Sequence, residues 1–95
     1  MQHIVFSGYV LSKPEEALHP NGAKSVSFFV SAKNGGTMKD NAYYRCTYYG
    51  RVIPEQGDHV FVTGRLTIGI KEDENGDVFP DLSVRVFDLV IGKSK

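Results

Sequence analysis

Aromatic and cationic side chains are concentrated in one strand-like segment, residues 41–51, with the sequence NAYYRCTYYGR. This segment holds four of the five tyrosines and two of the four arginines of the chain. Because successive side chains on a strand point to opposite faces, the segment predicts two different surfaces. One surface would carry Tyr43, Arg45, Thr47 and Tyr49. The other would carry Tyr44, Cys46 and Tyr48.

The first of these surfaces is suited to unpaired nucleic acid. Aromatic rings stack on bases and arginines meet phosphates, so such a face holds a single strand without reading its sequence. A tyrosine-rich core strand is the alternative interpretation, because tyrosine is enriched in strands of every kind.

Length and composition predict one soluble globular domain over residues 1–95. Hydrophobic residues make up 41% and charged residues 23% of the chain, and no window approaches the roughly 18 continuous apolar residues of a membrane span. Residues 1–6 show no basic segment and no cleavage-site pattern, so we expect no signal or transit peptide and a cytoplasmic location. A domain this small buries only about 60% of its unfolded surface, and an oligomer would bury more.

The sequence predicts no catalytic or metal chemistry. Cys46 is the only cysteine and is expected to be a buried thiol. The histidines (His3, His19 and His59) have no metal-ligand spacing, and no nucleophile elbow, phosphate loop or dinucleotide motif is present. We therefore expect no metal, no cofactor, no small-molecule substrate and no enzymatic activity.

Charge is distributed unevenly, although eleven basic and eleven acidic residues give a net charge of zero. Residues 72–81 contain five acids and no base, so the rest of the chain carries a net charge of +5. The acids are Glu72, Asp73, Glu74, Asp77 and Asp81. A loop that holds these acids apart would leave the body of the domain basic. Ordinary surface charge that maintains solubility is the alternative.

Alternating apolar residues predict an all-β fold with five strands. The predicted strands cover residues 3–11, 24–33, 42–49, 59 to about 70, and 79–91. Turn residues Pro20-Asn21-Gly22, Asn34-Gly35-Gly36 and Asn75-Gly76 separate them, and the last closes a long hairpin with the acidic loop at its tip. No helix longer than a turn is expected between the third and fourth strands.

Glycines inside strands, at Gly8 and Gly64, indicate bends that let a sheet curl. Along the fifth strand the apolar residues change from even-numbered to odd-numbered positions, which predicts a bulge near Phe87. Five curled, mostly antiparallel strands are typical of an OB-fold barrel, with an SH3-like barrel as the competing structure. The first predicted strand is apolar on both faces, which suits packing against a second subunit.

Five consecutive segments resemble the bacterial single-stranded DNA-binding protein family, in order and over nearly the whole chain. They are SGYV at residues 7–10, KPE at 13–15 with HPNG at 19–22, VSFFVSA at 26–32, YYRCTYYGR at 43–51, and GDHVFVTGRL at 57–66. The resemblance implies that Tyr43 and Tyr49 stack on DNA bases and that Arg45 and Arg51 lie along the backbone path. Further candidates on neighbouring strands are Phe28, Lys33 and Arg65, each of which could equally pack in the barrel wall or solvate it.

The chain also departs from the family pattern. Tryptophan stacking positions of the family fall near Thr37 and Lys71, so two aromatic platforms are expected to be missing and binding to be weaker. Because the sequence ends GKSK, we expect no acidic C-terminal tail of the family's kind and no recruitment of partners through such a tail. The resemblance implies that Tyr44 matches a position in the tetramer contacts of the family, and a bulky ring there disfavours a homotetramer. We therefore expect a homodimer through the first strand, and a homotetramer stays possible.

Together these features predict sequence-tolerant binding of single-stranded DNA that coats and protects it in replication, recombination or repair. The alternatives are an adaptor of the primosomal replication protein N kind, which acts mainly through protein partners, and an RNA-binding barrel of the cold-shock kind. A bacterial chromosome, a plasmid and a phage stay open as the source.

Overall fold

The structure is a computed structural model that describes residues 2–33 and 41–92. Six strands and no helix occur in these ranges. The strands are β1 (Gln2–Val10), β2 (Glu15–Leu18), β3 (Lys24–Lys33), β4 (Asn41–Tyr48), β5 (His59–Glu72) and β6 (Val78–Gly92). Accordingly, the described residues include no helix with the length and apolar character needed to cross a membrane.

Five of the six strands form a sheet whose first and last strands pair, so that the sheet is closed. The strand order is β1-β5-β6-β4-β3-β2, and β1 pairs with β3 as well as with β5. The short β2 pairs with β3 at the outside of this ring. All pairs are antiparallel except β4 with β6, which are parallel. The predicted all-β fold is confirmed, and its five long strands form a closed sheet.

Gly8 lies where β1 passes from one neighbouring strand to the other. It pairs with Val60 of β5, and the next residue, Tyr9, pairs with both His59 of β5 and Ser31 of β3. A β-carbon at position 8 would collide with the backbone carbonyl of Ser31. Since glycine lacks that atom, it lets β1 approach β3 closely enough to close the sheet.

All five predicted strands are present, and their ends differ from the prediction by at most two residues. The sixth, β2, was not predicted. Its sequence EEAL is exposed at all four positions, so it has no alternation to detect. Backbone pairing from Glu15 opposite Ser27 to Leu18 opposite Lys24 holds it on β3 as an edge strand.

The predicted bulge at Phe87 is confirmed. Thr63 pairs with Asp88 and Gly64 pairs with Val86, so Phe87 is the extra residue between two consecutive pairs. An unpaired residue reverses the direction of every side chain that follows it. The change of apolar parity along β6 is the consequence.

Two of the predicted turns contain a glycine in the left-handed region, Gly22 with φ of 87° and Gly76 with φ of 84°. Gly76 lies between β5 and β6, whose pairing extends to Glu72 opposite Val78. The third predicted turn, Asn34-Gly35-Gly36, lies outside the described residues.

The interior of the closed sheet is filled mainly by valines, together with Phe28 and Cys46. Cys46 is fully buried, as predicted. Burial raises the pKa of its thiol to about 12, because the charged thiolate is poorly solvated there. The side chain therefore acts as a small apolar group at neutral pH.

Residues 49–58 connect β4 to β5 without a helix. Pro54 is fully buried in this connection. The backbone N–H of Gly57 donates to the carbonyl of Val10 at 2.8 Å, and Nε2 of Gln56 donates to the carbonyl of Leu11 at 2.8 Å. These contacts hold the connection against the end of β1.

Because β5 and β6 approach each other closely at Gly64, we predict that any larger residue at this position destabilises the fold. A β-carbon on Gly64 would collide with the carbonyl of Arg85, so we expect Gly64→Ala to lower the free energy of unfolding by about 1–3 kcal/mol. Gly69→Ala on the same strand is the matched control, since its β-carbon would meet only Cβ of Asp81 at 4.0 Å. Urea unfolding followed by circular dichroism measures both, and equal stabilities would contradict the close approach.

Candidate nucleic-acid interface

The outward face of β4 carries the residues that alternation predicted. Tyr43 is 55% exposed, and Tyr49, directly after the strand, is 46% exposed. Arg45 and Thr47 lie between them and are partly exposed. The inward residues belong to the core or pack against it; they are Tyr44, Cys46 and Tyr48. The predicted division of this segment into two faces is confirmed.

Strand register places two more arginines beside this face. Thr47 lies opposite Arg85 on β6, and Arg85 lies opposite Arg65 on β5. Cζ of Arg85 is 5.3 Å from the ring centroid of Tyr49, and Cζ of Arg65 is 5.6 Å from that of Phe87. The four side chains line a cleft of about 400 Å³, which we call the arginine cleft. Cation–π contacts therefore join rings and charges into one surface.

A second cleft, of about 530 Å³, has three exposed rings in its wall. They are Phe29 on β3, Tyr43 on β4 and Phe79 on β6, exposed by 44%, 55% and 44%. Arg45 and Asp81 line the same cleft, which we call the aromatic cleft. Exposed rings around a concave surface offer several π-faces to a flat ligand such as a nucleobase.

Phe79 supplies a ring close to one position where an aromatic platform was expected to be missing. It pairs with Lys71 across β5 and β6, and directly opposed residues on a sheet share a face. The ring therefore lies beside Lys71. The other expected loss, near Thr37, falls outside the described residues.

Two residues of the clefts, Phe79 and Arg85, were not predicted from the sequence, because their position depends on the pairing of distant strands. Phe79 and Arg85 reach the site only through the register of β6 with β4 and β5. Alternation within β6 puts both on the same side as Asp81 and Ser83, which is the signal that was available in the sequence.

Asp81 interacts with the basic residues of this face. Nη2 of Arg45 donates a hydrogen bond to Oδ2 of Asp81 at 2.9 Å, and Nζ of Lys71 lies 3.9 Å from the same oxygen. The hydrogen bond from Arg45, aided by both positive charges, holds the pKa of the Asp81 carboxyl below its usual range. The expectation that all acids of residues 72–81 lie apart from the basic body is wrong for Asp81, which lies within β6.

The prediction that Phe28 contacts nucleic acid is wrong. Its ring is 1% exposed and belongs to the core, so no base can reach it. Phe28 shares its parity with the apolar residues Val26 and Val30, whereas Phe29 shares its parity with serines and points outward. Alternation within β3 therefore contained the correct assignment.

The remaining predicted residues have different outcomes. Arg51 is exposed beyond the end of β4 and lines a cleft of about 320 Å³ with Tyr49, Lys24 and Glu16. It therefore lies next to a predicted stacking ring. Lys33 ends β3, but its side chain lies outside the described residues, so its role stays a prediction.

Within residues 2–33 and 41–92, no three His, Cys, Asp or Glu side chains are grouped as metal ligands would be. Two histidines contact protein groups instead. Nε2 of His19 lies 2.9 Å from Oγ of Ser25, and the His59 ring stacks on Tyr9 with centroids 4.7 Å apart.

No protein-family model matches the sequence, and no curated protein matches it significantly. Solved structures do match its backbone. A small single-stranded DNA-binding protein from Streptomyces coelicolor superimposes with a TM-score of 0.77 at 17% identity, covering 96% of this chain and 94% of the other.

Two further structures match over almost the whole chain. A Plasmodium falciparum single-stranded DNA-binding protein in complex with single-stranded DNA gives a TM-score of 0.70 at 16% identity, covering 98% of this chain and 96% of the other. The mitochondrial single-stranded DNA-binding protein Rim1 from S. cerevisiae gives 0.69 at 16% identity, covering 99% and 97%. The chain therefore has the fold of the single-stranded DNA-binding proteins.

Proposed function

We propose that this protein binds single-stranded DNA without strong sequence preference, and that it coats and protects the strand during replication, recombination or repair. The observation that carries the proposal is the outward face of β3, β4, β5 and β6, where exposed rings alternate with arginines. The closed sheet would then be an OB-fold barrel that uses this face as its binding surface. A solved neighbour of the same fold is a complex with single-stranded DNA, which supports the assignment.

Both base stacking and phosphate contacts would contribute to the binding of DNA. Tyr43 and Phe79 in the aromatic cleft and Tyr49 in the arginine cleft offer π-faces that accept any base. Arg85 lies over the Tyr49 ring and Arg65 over the Phe87 ring of the arginine cleft, where phosphates of the same strand would pass. Neither interaction reads the edge of a base, so the binding tolerates any sequence.

The same surface would favour single strands over duplex DNA. A base must be unstacked from its neighbours before its face can lie on a tyrosine ring. In a duplex that face is already covered, and only the phosphates remain accessible. We propose that the protein acts as a binding protein in the cytoplasm and has no enzymatic activity.

The proposal predicts salt-sensitive binding to oligo-dT and much weaker binding to a duplex of the same length. Fluorescence anisotropy with a labelled oligonucleotide, at low and moderate salt, measures both. Affinity for the single strand is expected to fall as salt rises, with log K changing by about 0.7 per phosphate contact for each unit of log salt. If the protein bound neither nucleic acid at low salt, an adaptor that acts through protein partners would become the better hypothesis.

Stacking on β4 predicts that the double variant Tyr43→Leu with Tyr49→Leu loses affinity for oligo-dT. Each lost ring contact is expected to cost about 1–3 kcal/mol, because leucine keeps an apolar side chain but has no π-face. Leu18→Ala is the control, since Leu18 is 71% exposed but lies on β2 and lines neither cleft. Urea unfolding confirms that each variant is folded, and equal affinities of variant and control would contradict the assigned face.

We also propose that two copies associate through β1. Val5 and Tyr9 point outward from this strand and are 76% and 54% exposed, and Phe61 on β5, opposite Ser7, is 46% exposed. Together they form an apolar surface separate from the two clefts. Burial of this surface in a homodimer would add stability to a domain whose own core is small.

A charged residue in this surface should separate the copies. We expect wild-type protein to sediment as a dimer and Val5→Asp to sediment as a monomer, because a carboxylate would be buried without a partner. Val78→Asp provides the matched control, since Val78 is 65% exposed at the start of β6. Sedimentation velocity over a range of concentrations distinguishes the forms, and a monomeric wild-type protein would contradict the proposal.

A further inference from the structure

An acidic side chain, Asp81, is hydrogen-bonded to the arginine that lines the aromatic cleft. Oδ2 of Asp81 accepts a hydrogen bond from Nη2 of Arg45 at 2.9 Å, and both residues line the cleft with Tyr43 and Phe79. Their side chains are 20% and 39% exposed, so solvent and ligands reach the pair. Arg45 is thus engaged by a carboxylate inside the surface proposed to bind DNA.

A carboxylate oxygen and a phosphate oxygen make the same kind of contact with a guanidinium group. Both are anionic acceptors of charge-assisted hydrogen bonds. A phosphate that approaches Arg45 must therefore displace Asp81 or lie next to a like charge. Lys71, with Nζ 3.9 Å from the same carboxylate oxygen, is held by the same acid.

The contact leaves part of the guanidinium unused. Nε of Arg45 is buried and has no hydrogen-bond partner among the described residues. Carboxylates often bind arginine through two parallel hydrogen bonds, which is the stronger arrangement. A single bond to Nη2 that leaves Nε without a partner is easier for a second anion to replace.

We propose that Asp81 competes with DNA phosphate for Arg45 and thereby lowers the affinity of this site for single strands. The inference rests on the proposed function and names a residue that sets its strength. A strand that binds in the aromatic cleft displaces the carboxylate from Arg45, and the carboxylate takes the cation back when the strand leaves. The consequence is weaker and more readily reversible binding of the strand.

Asp81→Asn tests this competition, because asparagine has nearly the same shape and still accepts a hydrogen bond but carries no charge. We expect the variant to bind oligo-dT about three- to tenfold more tightly at low salt, since one like charge beside the strand is removed. Its salt dependence should steepen by up to about 0.7 in log K per unit of log salt, the equivalent of one phosphate contact that the Asp81 charge no longer offsets.

Asp77→Asn is the matched control, since it makes the same change of net charge at the exposed turn between β5 and β6. Asp81→Glu restores a carboxylate and is expected to reverse most of the gain. Urea unfolding checks that Asp81→Asn is folded. The salt slope separates competition from a structural role, because a loosened fold would weaken binding without steepening the slope.

The possible outcomes separate this inference from the proposed function. If wild-type protein binds oligo-dT and Asp81→Asn binds no more tightly than Asp77→Asn, the competition is overturned and the proposed function stands. Weaker binding by a folded Asp81→Asn would overturn it as well, since Asp81 would then be positioning Arg45. If neither wild-type protein nor any variant binds, both proposals fail.

Discussion

The parallel pairing of β4 with β6 is the constraint on which the candidate site depends. Arg45 and Asp81 are 36 residues apart in the sequence, yet the register of Arg45 opposite Ser83 makes their strands direct neighbours. Parallel neighbours need a long crossover, and β5 provides it by pairing with the far side of β6. Closure of the sheet at Gly8 fixes this arrangement. The rings and charges are therefore positioned mostly by backbone ladders rather than by loops.

Local features of this site could be predicted from the sequence, and features that depend on register could not. Strand positions and the two faces of β4 follow from alternation, and the bulge at Phe87 follows from a change of parity within one strand. Phe79 and Asp81 enter the site only after β6 is aligned with β4, which no local pattern specifies. Phe28 is a different case, because alternation along β3 distinguishes the buried Phe28 from the exposed Phe29 without any knowledge of register.

The exposed rings contribute little to the stability of the closed sheet, because about half of each surface stays in water. Partial cover comes from arginines, with Arg85 over Tyr49 and Arg65 over Phe87. The same rings also lie near histidines, with the Tyr49 centroid 5.6 Å from that of His19 and the Phe87 centroid 6.2 Å from that of His3. These contacts restrict the orientation of each ring. A stacking surface that is already oriented loses less side-chain entropy on binding. The arginines that would contact phosphate thus also orient the rings on which bases would stack.

Charge placement explains how a chain with no net charge can present a basic face. Most acids of residues 72–81 lie at or near the tip of the β5–β6 hairpin, where they are exposed and screened by salt. Asp81 alone of this group lies on the proposed binding face, in a partly buried ion pair with Arg45. Screening is weaker there, so one carboxylate at that position influences an approaching strand more than several at the tip. Net charge is consequently a poor indicator of what so small a domain binds. The residue that contacts each arginine is a better indicator.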